Sequence, residues 1–323
     1  MCLYPKLIKN PKYLPNRKNN YNPPVPTDER VLYVPVGCGN CIECMRQKAR
    51  QWQVRLTEEI NSTKLNKYMV TLTFSEESLE KLTKEAEIED NINKIEENEI
   101  VTFAVRRFLE RWRKKHKKSV RHWLVTELGH NGTERIHLHG IIFTDKGEDI
   151  EKIWQYGYVY IGQYVNERTI NYIVKYVHKI DAKHKGYKPK ILTSAGIGGA
   201  YTNKIDSKQN KYNGENTKEY YRTRTGIKLN LPIYYRNKLY SDEQKEKLWI
   251  NKLDKQERWI CGEKIDISKN EKEYEETLKF YQAKNKRLGY GDRSKEWKIE
   301  QYKNQRKNLK KIKQNGSANS KGQ

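Results

Sequence analysis

The stretch TELGHNGTERIHLHGIIF, residues 126–143, decides the architecture. Ile136, Leu138 and Ile142 alternate with His137 and His139, the pattern of a strand with one buried face. His122 to Glu127 is also strand-like. LGHNGTE joins the two, and its Asn131-Gly132 is a strong hairpin-turn signal. The expectation is an antiparallel hairpin. Residues i and i+2 of a strand share a face, so His137 and His139 present two imidazoles from one side. Glu127, ending the preceding strand, is the natural third group. Two imidazoles beside a carboxylate form a divalent metal site with room for a phosphate oxygen and water. Such a metal serves as a Lewis acid in phosphoryl transfer. Mg2+ or Mn2+ suits that chemistry, and two imidazoles favour Mn2+. The alternative is two exposed histidines on a half-solvated strand. His130 lies in the turn and reads as a surface residue; His116 and His122, flanking a helix–strand junction, carry no assignment.

Upstream, KYMVTLTF (Lys67 to Phe74) alternates as a further strand. Val101, Val105, Phe108, Leu109 and Trp112 fall at helical spacing, which predicts an amphipathic helix over Val101 to Lys117 with a basic outer face. Downstream, a short helical piece around Ile153 and Trp154 precedes a strand over Tyr156 to Ile161. Arg168 to Lys179 reads as a helix burying Ile170, Ile173, Val174 and Val177. The fold class is therefore α+β, an antiparallel sheet with flanking helices and a ferredoxin-like core. Ser241 to Trp297 reads as a helical C-terminal region, opened by a capping-box spacing from Ser241 to Gln244.

On the helix from Arg168, Tyr172 and Tyr176 stand at i and i+4, one turn apart on one face, with Lys175 beside them. A phenol attacks phosphorus once its proton is lost or its charge is stabilised by a cation. Two tyrosines can take turns at one scissile phosphate, and Lys175 can stabilise the charge that develops. Packing is the alternative for a chain with 23 tyrosines.

The His-hydrophobic-His strand followed by Tyr-x-x-Lys-Tyr, in a basic protein, resembles the HUH endonucleases that initiate rolling-circle replication. More narrowly, the chain resembles the replication initiators of the gokushovirus-like Microviridae. The matching segments are YMVTLTF, TELGHNGTERIHLHGIIF, WQYGYVYIG and NYIVKYVHK. SAGIGGAY, GIKLNLPIYYRNKLY and the N-terminal GCGNCIECMRQKARQWQVRL add to them, so the resemblance spans roughly residues 1–250. It implies that His137, His139 and Glu127 bind the metal, and that Tyr172 and Tyr176 are nucleophiles supported by Lys175. It implies an HUH endonuclease that nicks single-stranded origin DNA, keeps the 5′ phosphate on a tyrosine, and rejoins the displaced strand. The freed 3′-OH would prime a host polymerase in the bacterial cytoplasm. Ile136 departs from the family pattern, which often has Pro there; it preserves the strand alternation. The neighbouring readings are an HUH transposase or relaxase, and a noncatalytic basic nucleic-acid-binding protein. The sequence contains no G-x-x-x-x-G-K-[ST] motif, which leaves unwinding to a partner helicase.

The 323 residues carry 65 Lys+Arg against 41 Asp+Glu, a net charge of +24. That balance favours polyanion partners. The charge is uneven. Ser75–Ile100 holds ten acids and three lysines, net −7, leaving +31 elsewhere. This stretch reads as a solvated insertion, longer than the family's usual loop, pointing away from nucleic acid. From Gln301 onward there are seven Lys/Arg and no acid, ending in the tail-like QNGSANSKGQ. No run approaches the ~18 apolar residues of a membrane span, and MCLYPKLIKN lacks the apolar core of a secretory signal.

Cys38-x-x-Cys41-x-x-Cys44, joined by Cys2, is a candidate structural zinc site; an iron–sulfur cluster and free thiols leading into a helix over Ile42 to Ile60 are the alternatives. Cys261 reads as unrelated. The expected organisation is a Cys-bearing N-terminal segment and helix (1–60), a nuclease domain (61–240) and a helical accessory region with a basic tail (241–323).

Overall fold

A computed structural model describes residues 1–90, 96–129, 134–180, 183–184, 187–268, 271–291 and 296–307, with the side chain of residue 90 excepted. In chain order the elements are β1 (Lys6–Lys9), β2 (Tyr33–Val36), α1 (Ile42–Ser62), β3 (Lys67–Leu72), α2 (Glu76–Asp90), α3 (Glu97–His116), β4 (Arg121–Leu128), β5 (Ile136–Phe143), α4 (Asp149–Trp154), β6 (Val159–Gly162), α5 (Glu167–Val174) and β7 (Ile191–Thr193). They continue with β8 (Tyr220–Arg222), β9 (Lys228–Asn230), α6 (Ile233–Leu239), α7 (Asp242–Asp254), β10 (Glu257–Ile260), β11 (Glu263–Asp266) and α8 (Lys272–Arg287). Among the described residues no helix is long and apolar enough to cross a membrane.

The chain divides into two compact units. One comprises residues 48–208 and 220–235. Its centre is a five-stranded sheet in the order β6-β3-β5-β4-β7, with every pairing antiparallel. β4 and β5 pair from Arg121↔Phe143 to Leu128↔Ile136, which sets Glu127 opposite His137. The Asn131-Gly132 turn lies outside the described residues, as does His130.

Alternation along each strand sorts its side chains to two faces. Val70, Leu72, Leu124, Leu138 and Ile142 face α3, whose Val101, Phe103, Ala104, Val105, Phe108 and Trp112 cover them; Trp154 of α4 completes this core. The opposite face carries Trp123, Val125, Ile141 and Phe143, packed with Ala49, Leu56 and Ile60 of α1 and with Ile170, Ile173 and Val174 of α5. Helices on both faces explain why β4 and β5 are buried along nearly their whole length. Gly140 is forced by the close approach of β4: a Cβ there would stand 2.1 Å from the Trp123 carbonyl oxygen.

Two acidic side chains of α1 are buried and pinned by partners, as buried charges must be. Glu59 accepts from the Arg121 guanidinium and from the Gly198 N–H at 2.7 Å. Glu58 accepts from the Tyr221 hydroxyl at 2.6 Å and from Lys204 Nζ at 2.7 Å.

The acidic stretch corrects the expectation of a solvated insertion. Much of it is α2, which turns Leu82 and Ala86 into the core with Leu79 beside them. These positions recur at helical spacing, so one apolar face docks while the acids stay on the other. Glu89 pairs with Arg106 and Arg107 of α3, and Glu76 with Arg135.

The other unit comprises residues 1–47, 209–219 and 236–323. Leu3, Tyr4, Leu7, Ile42, Ile260, Ile265, Ile267, Tyr274, Leu278 and Tyr302 form its core. Ser241 caps α7 with the expected box: its hydroxyl accepts from Gln244 N at 3.2 Å, and Gln244 Oε1 accepts from Ser241 N at 3.0 Å. The region beyond is not uniformly helical. β10 and β11 form a hairpin between α7 and α8, turning at Cys261-Gly262, both at positive φ. The tail from residue 308 lies outside the described residues.

Candidate active site

Hairpin register builds the first half of the site. Glu127 and His137 are cross-strand partners, and His139 lies two residues along the same face. Both imidazoles aim Nε2 at one carboxylate oxygen: His139 Nε2 is 2.9 Å from Glu127 Oε2, and His137 Nε2 is 3.3 Å from it. The three ligand atoms lie within 4.8 Å of one another. The Nδ1 atoms are held from behind. His137 Nδ1 donates to the Arg135 carbonyl at 3.2 Å, and His139 Nδ1 meets the Thr71 hydroxyl of β3 at 3.1 Å. These contacts at Nδ1 orient both rings so that their Nε2 atoms face the Glu127 carboxylate.

Burial alone would raise the Glu127 carboxyl. The hydrogen bonds from His137, His139 and Lys179 outweigh it and hold the group well below the usual carboxylate range. Burial lowers the His139 imidazole, with Glu127 opposing. Glu127 is therefore anionic and His139 neutral near pH 7, the states a ligand needs. The donor set is two imidazole nitrogens and one carboxylate on one face, which fits a divalent cation with open positions.

α5 supplies the second half. Asn166 caps it, accepting from the N–H groups of Arg168 and Thr169. The expected single helix to Lys179 instead ends as α at Val174 and tightens into a 3-10 turn over Lys175–Val177. Its apolar residues dock on the sheet beside the histidines. Tyr176 stacks on His139 with ring centroids 4.2 Å apart and planes 9° apart. Its hydroxyl donates to the Tyr172 hydroxyl at 2.6 Å. Tyr176 is 5% exposed and Tyr172 40%, so only Tyr172 opens broadly to solvent. Burial, and then the bond to Tyr172, push the Tyr176 phenol well above its ordinary range. Lys175 Nζ sits 4.1 Å from the Tyr172 ring centroid and 5.4 Å from that of Tyr176.

The structure thus brings together Glu127, His137, His139, Tyr172, Lys175 and Tyr176. Sequence reasoning passed over Lys179, which pairs with Glu127, and Thr71, which holds His139. Lys179 was visible as the next turn of the face bearing Tyr172 and Lys175–Tyr176. Thr71 was not, because only the β3–β5 register aligns it with His139. Of the other histidines, His122 is buried against Ser194 and the Val120 carbonyl. His116 lies 3.0 Å from Asp149, and His184 3.1 Å from Glu134.

Cys2, Cys38, Cys41 and Cys44 form a second group with sulfur atoms within 4.8 Å of one another. Cys261 is not among them.

Residues 67–181 match the family model of the ORF2 class of replication-associated protein. No curated protein and no solved structure matches the chain. The matched segment opens at β3 and closes just past Lys179, so it contains every residue of the Glu127–His–Tyr site and none of the cysteines. Falling on that segment, the match supports a protein of the rolling-circle replication initiator type.

Proposed function

We propose that the protein is an HUH endonuclease that nicks single-stranded origin DNA by tyrosine attack, forms a 5′-phosphotyrosine and rejoins the displaced strand. The observation that carries this reading is the contact between the two halves of the site. Tyr176 lies flat on His139 while its hydroxyl touches that of Tyr172. A tyrosine pair that served only packing would bury both hydroxyls away from a cluster of ligand atoms.

Glu127, His137 and His139 would hold Mg2+ or Mn2+. Such an ion supplies Lewis-acid polarisation of the scissile phosphate. The remaining chemistry belongs to the chain. Tyr172 is the exposed phenol, and the bond from Tyr176 stabilises its oxyanion, so Tyr172 acts first. Its proton passes to solvent and its oxygen bonds to phosphorus. The P–O3′ bond breaks, and the 3′ oxygen leaves as a hydroxyl after taking up a proton. Lys175 places positive charge beside both rings and offsets the charge that develops on the phosphoryl group. Rejoining is the reverse displacement, with a 3′-OH attacking the phosphotyrosine and releasing the phenol. Tyr176 serves the second cleavage.

The sheet also offers a path for the strand. Tyr160 of β6 aligns with Thr71, which aligns with His139, so the three share one face in a single row. Tyr158 extends that face by alternation. The two rings are 50% and 69% exposed. They stand two strands from His139, roughly 10 Å away at the spacing of a sheet. Bases flanking the scissile phosphate would stack there. A purely regulatory DNA-binding protein would use such a platform but would have no need of the Glu127–His–Tyr contact.

Incubation with an origin oligonucleotide and Mn2+, followed by denaturing electrophoresis, tests the reading. A covalent adduct is expected from the native chain. Tyr172→Phe with Tyr176→Phe should abolish it, and either change alone should leave some. His137→Ala should remove the adduct while leaving DNA binding. A native chain that forms no adduct on any tiled segment of its replicon contradicts the reading.

A further inference from the structure

We infer that Cys2, Cys38, Cys41 and Cys44 hold one Zn2+ as a closed tetrathiolate site, independent of the nuclease chemistry. The four sulfurs lie within 4.8 Å of one another, and those of Cys2 and Cys41 are 3.9 Å apart. Four sulfurs at the ~2.3 Å zinc–sulfur distance of a tetrahedral site stand roughly 3.8 Å from one another. The Cys2–Cys41 separation therefore matches a shared ion. It is far beyond the ~2.05 Å of a disulfide. A four-iron cluster places its iron atoms between the cysteines and needs a wider cage.

The backbone around the sulfurs is arranged for thiolates. Cys2 Sγ accepts N–H groups from Tyr4 at 3.2 Å and from Cys38 at 3.1 Å. Cys38 Sγ accepts from Cys41 N at 3.2 Å, and Cys41 Sγ from Leu3 N at 3.5 Å. Neutral thiols are weak acceptors and would not need such an array; a cluster with four anionic sulfurs around one dication does. Two glycines make the approach feasible. Gly39 takes φ +78° inside the Cys38–Cys41 turn. A Cβ on Gly37 would stand 3.1 Å from Cys44 Sγ. Cys2, Cys38 and Cys41 are buried, and Cys44 is half-buried. All positions in a four-sulfur shell are filled by protein, which marks a structural site and leaves none for a substrate.

The site ties the start of the chain to the entry of α1. In the same core Asn285 Oδ1 accepts from Ile42 N at 2.8 Å, and the Gln282 side-chain amide donates to the Leu3 carbonyl at 2.7 Å. Zinc binding is thus coupled to the folding of this unit.

The test is metal analysis of the full chain purified without chelator, together with cobalt substitution and thiol titration. About one zinc per chain is expected. The Co2+ form should show the visible bands and the sulfur-to-metal charge transfer of a tetrahedral tetrathiolate. A mercurial should release the zinc as four thiols react. The His137→Ala and Cys261→Ser variants should keep the metal, and Cys41→Ser should lose it. Zinc-free native protein whose four thiols react as readily as Cys261 overturns the inference. So does stoichiometric iron, a disulfide among the four, or loss of the zinc in His137→Ala. None of these outcomes bears on whether the protein forms a DNA adduct.

Discussion

Single residues set the precision of this site. Gly140 follows His139 directly and has no room for a methyl group. Gly140→Ala should destabilise the chain by about 2–3 kcal/mol, measured as a shift in the urea midpoint at unchanged slope. His122 tests the electrostatics away from the proposed metal ligands. Burial lowers its pKa below the ordinary 6.5, with the Val120 carbonyl opposing and Arg121 adding to the depression. The unfolded chain then binds the proton first as pH falls. Stability from this group is complete above pH 6.5 and declines as pH falls through the depressed folded value. His122→Gln should flatten the dependence of the urea midpoint between roughly pH 7 and pH 5; an unchanged slope would refute this account of His122. At this scale the sequence was informative about chemistry and silent about support. His137, His139 and the Tyr172–Tyr176 pair announce themselves by spacing. Thr71 becomes visible only when the sheet register aligns it with His139, whereas Lys179, one turn beyond Lys175, was legible by spacing and passed over; its pairing with Glu127 appears only in the structure.

At the scale of elements, local periodicity identified β3, β4, β5, β6, α1 and α3 to within a few residues, but the three-residue strand β7 was too short to show an alternation. Periodicity also failed where charge masked an apolar minority. The stretch from Ser75 is so acidic that Leu79, Leu82 and Ala86 were overlooked as a buried face of α2. Leu82→Ala should cost about 3 kcal/mol, whereas replacing any exposed acid of α2 that lacks an ion pair should cost well under 1 kcal/mol. The β10–β11 hairpin was missed for a related reason. Strands of four residues give too few alternations to stand out between two helices. The edge strand β6 carries a prediction about DNA. Tyr158→Ala with Tyr160→Ala should weaken single-stranded DNA binding by about 1–3 kcal/mol per lost stacking partner, read by fluorescence anisotropy. The uncut oligonucleotide should bind unchanged if the sheet face is not the path.

For the whole molecule, the proposed function divides the work: charge gives reach and the site gives chemistry. With +24 overall, binding to single strands should be strongly salt-dependent. A footprint of about four phosphates corresponds to a roughly fifty-fold weakening between about 50 and about 200 mM salt. The division into two compact units was not legible in the sequence. Residues 1–47 gather with 209–219 and 236–323, and no local pattern reports such a long-range association. The family match is confined to residues 67–181, where the sheet and its two halves of the site reside. The central claim is that one phenol at the Tyr172–Tyr176 contact takes the 5′ phosphate. The most direct measurement is peptide mapping of the Mn2+-dependent adduct by mass spectrometry after nuclease and protease digestion. The account predicts a 5′-nucleotide on Tyr172 in the first turnover, moving to Tyr176 in the Tyr172→Phe chain. A nucleotide on a tyrosine outside this pair, or nicked DNA with no protein attached, would contradict it.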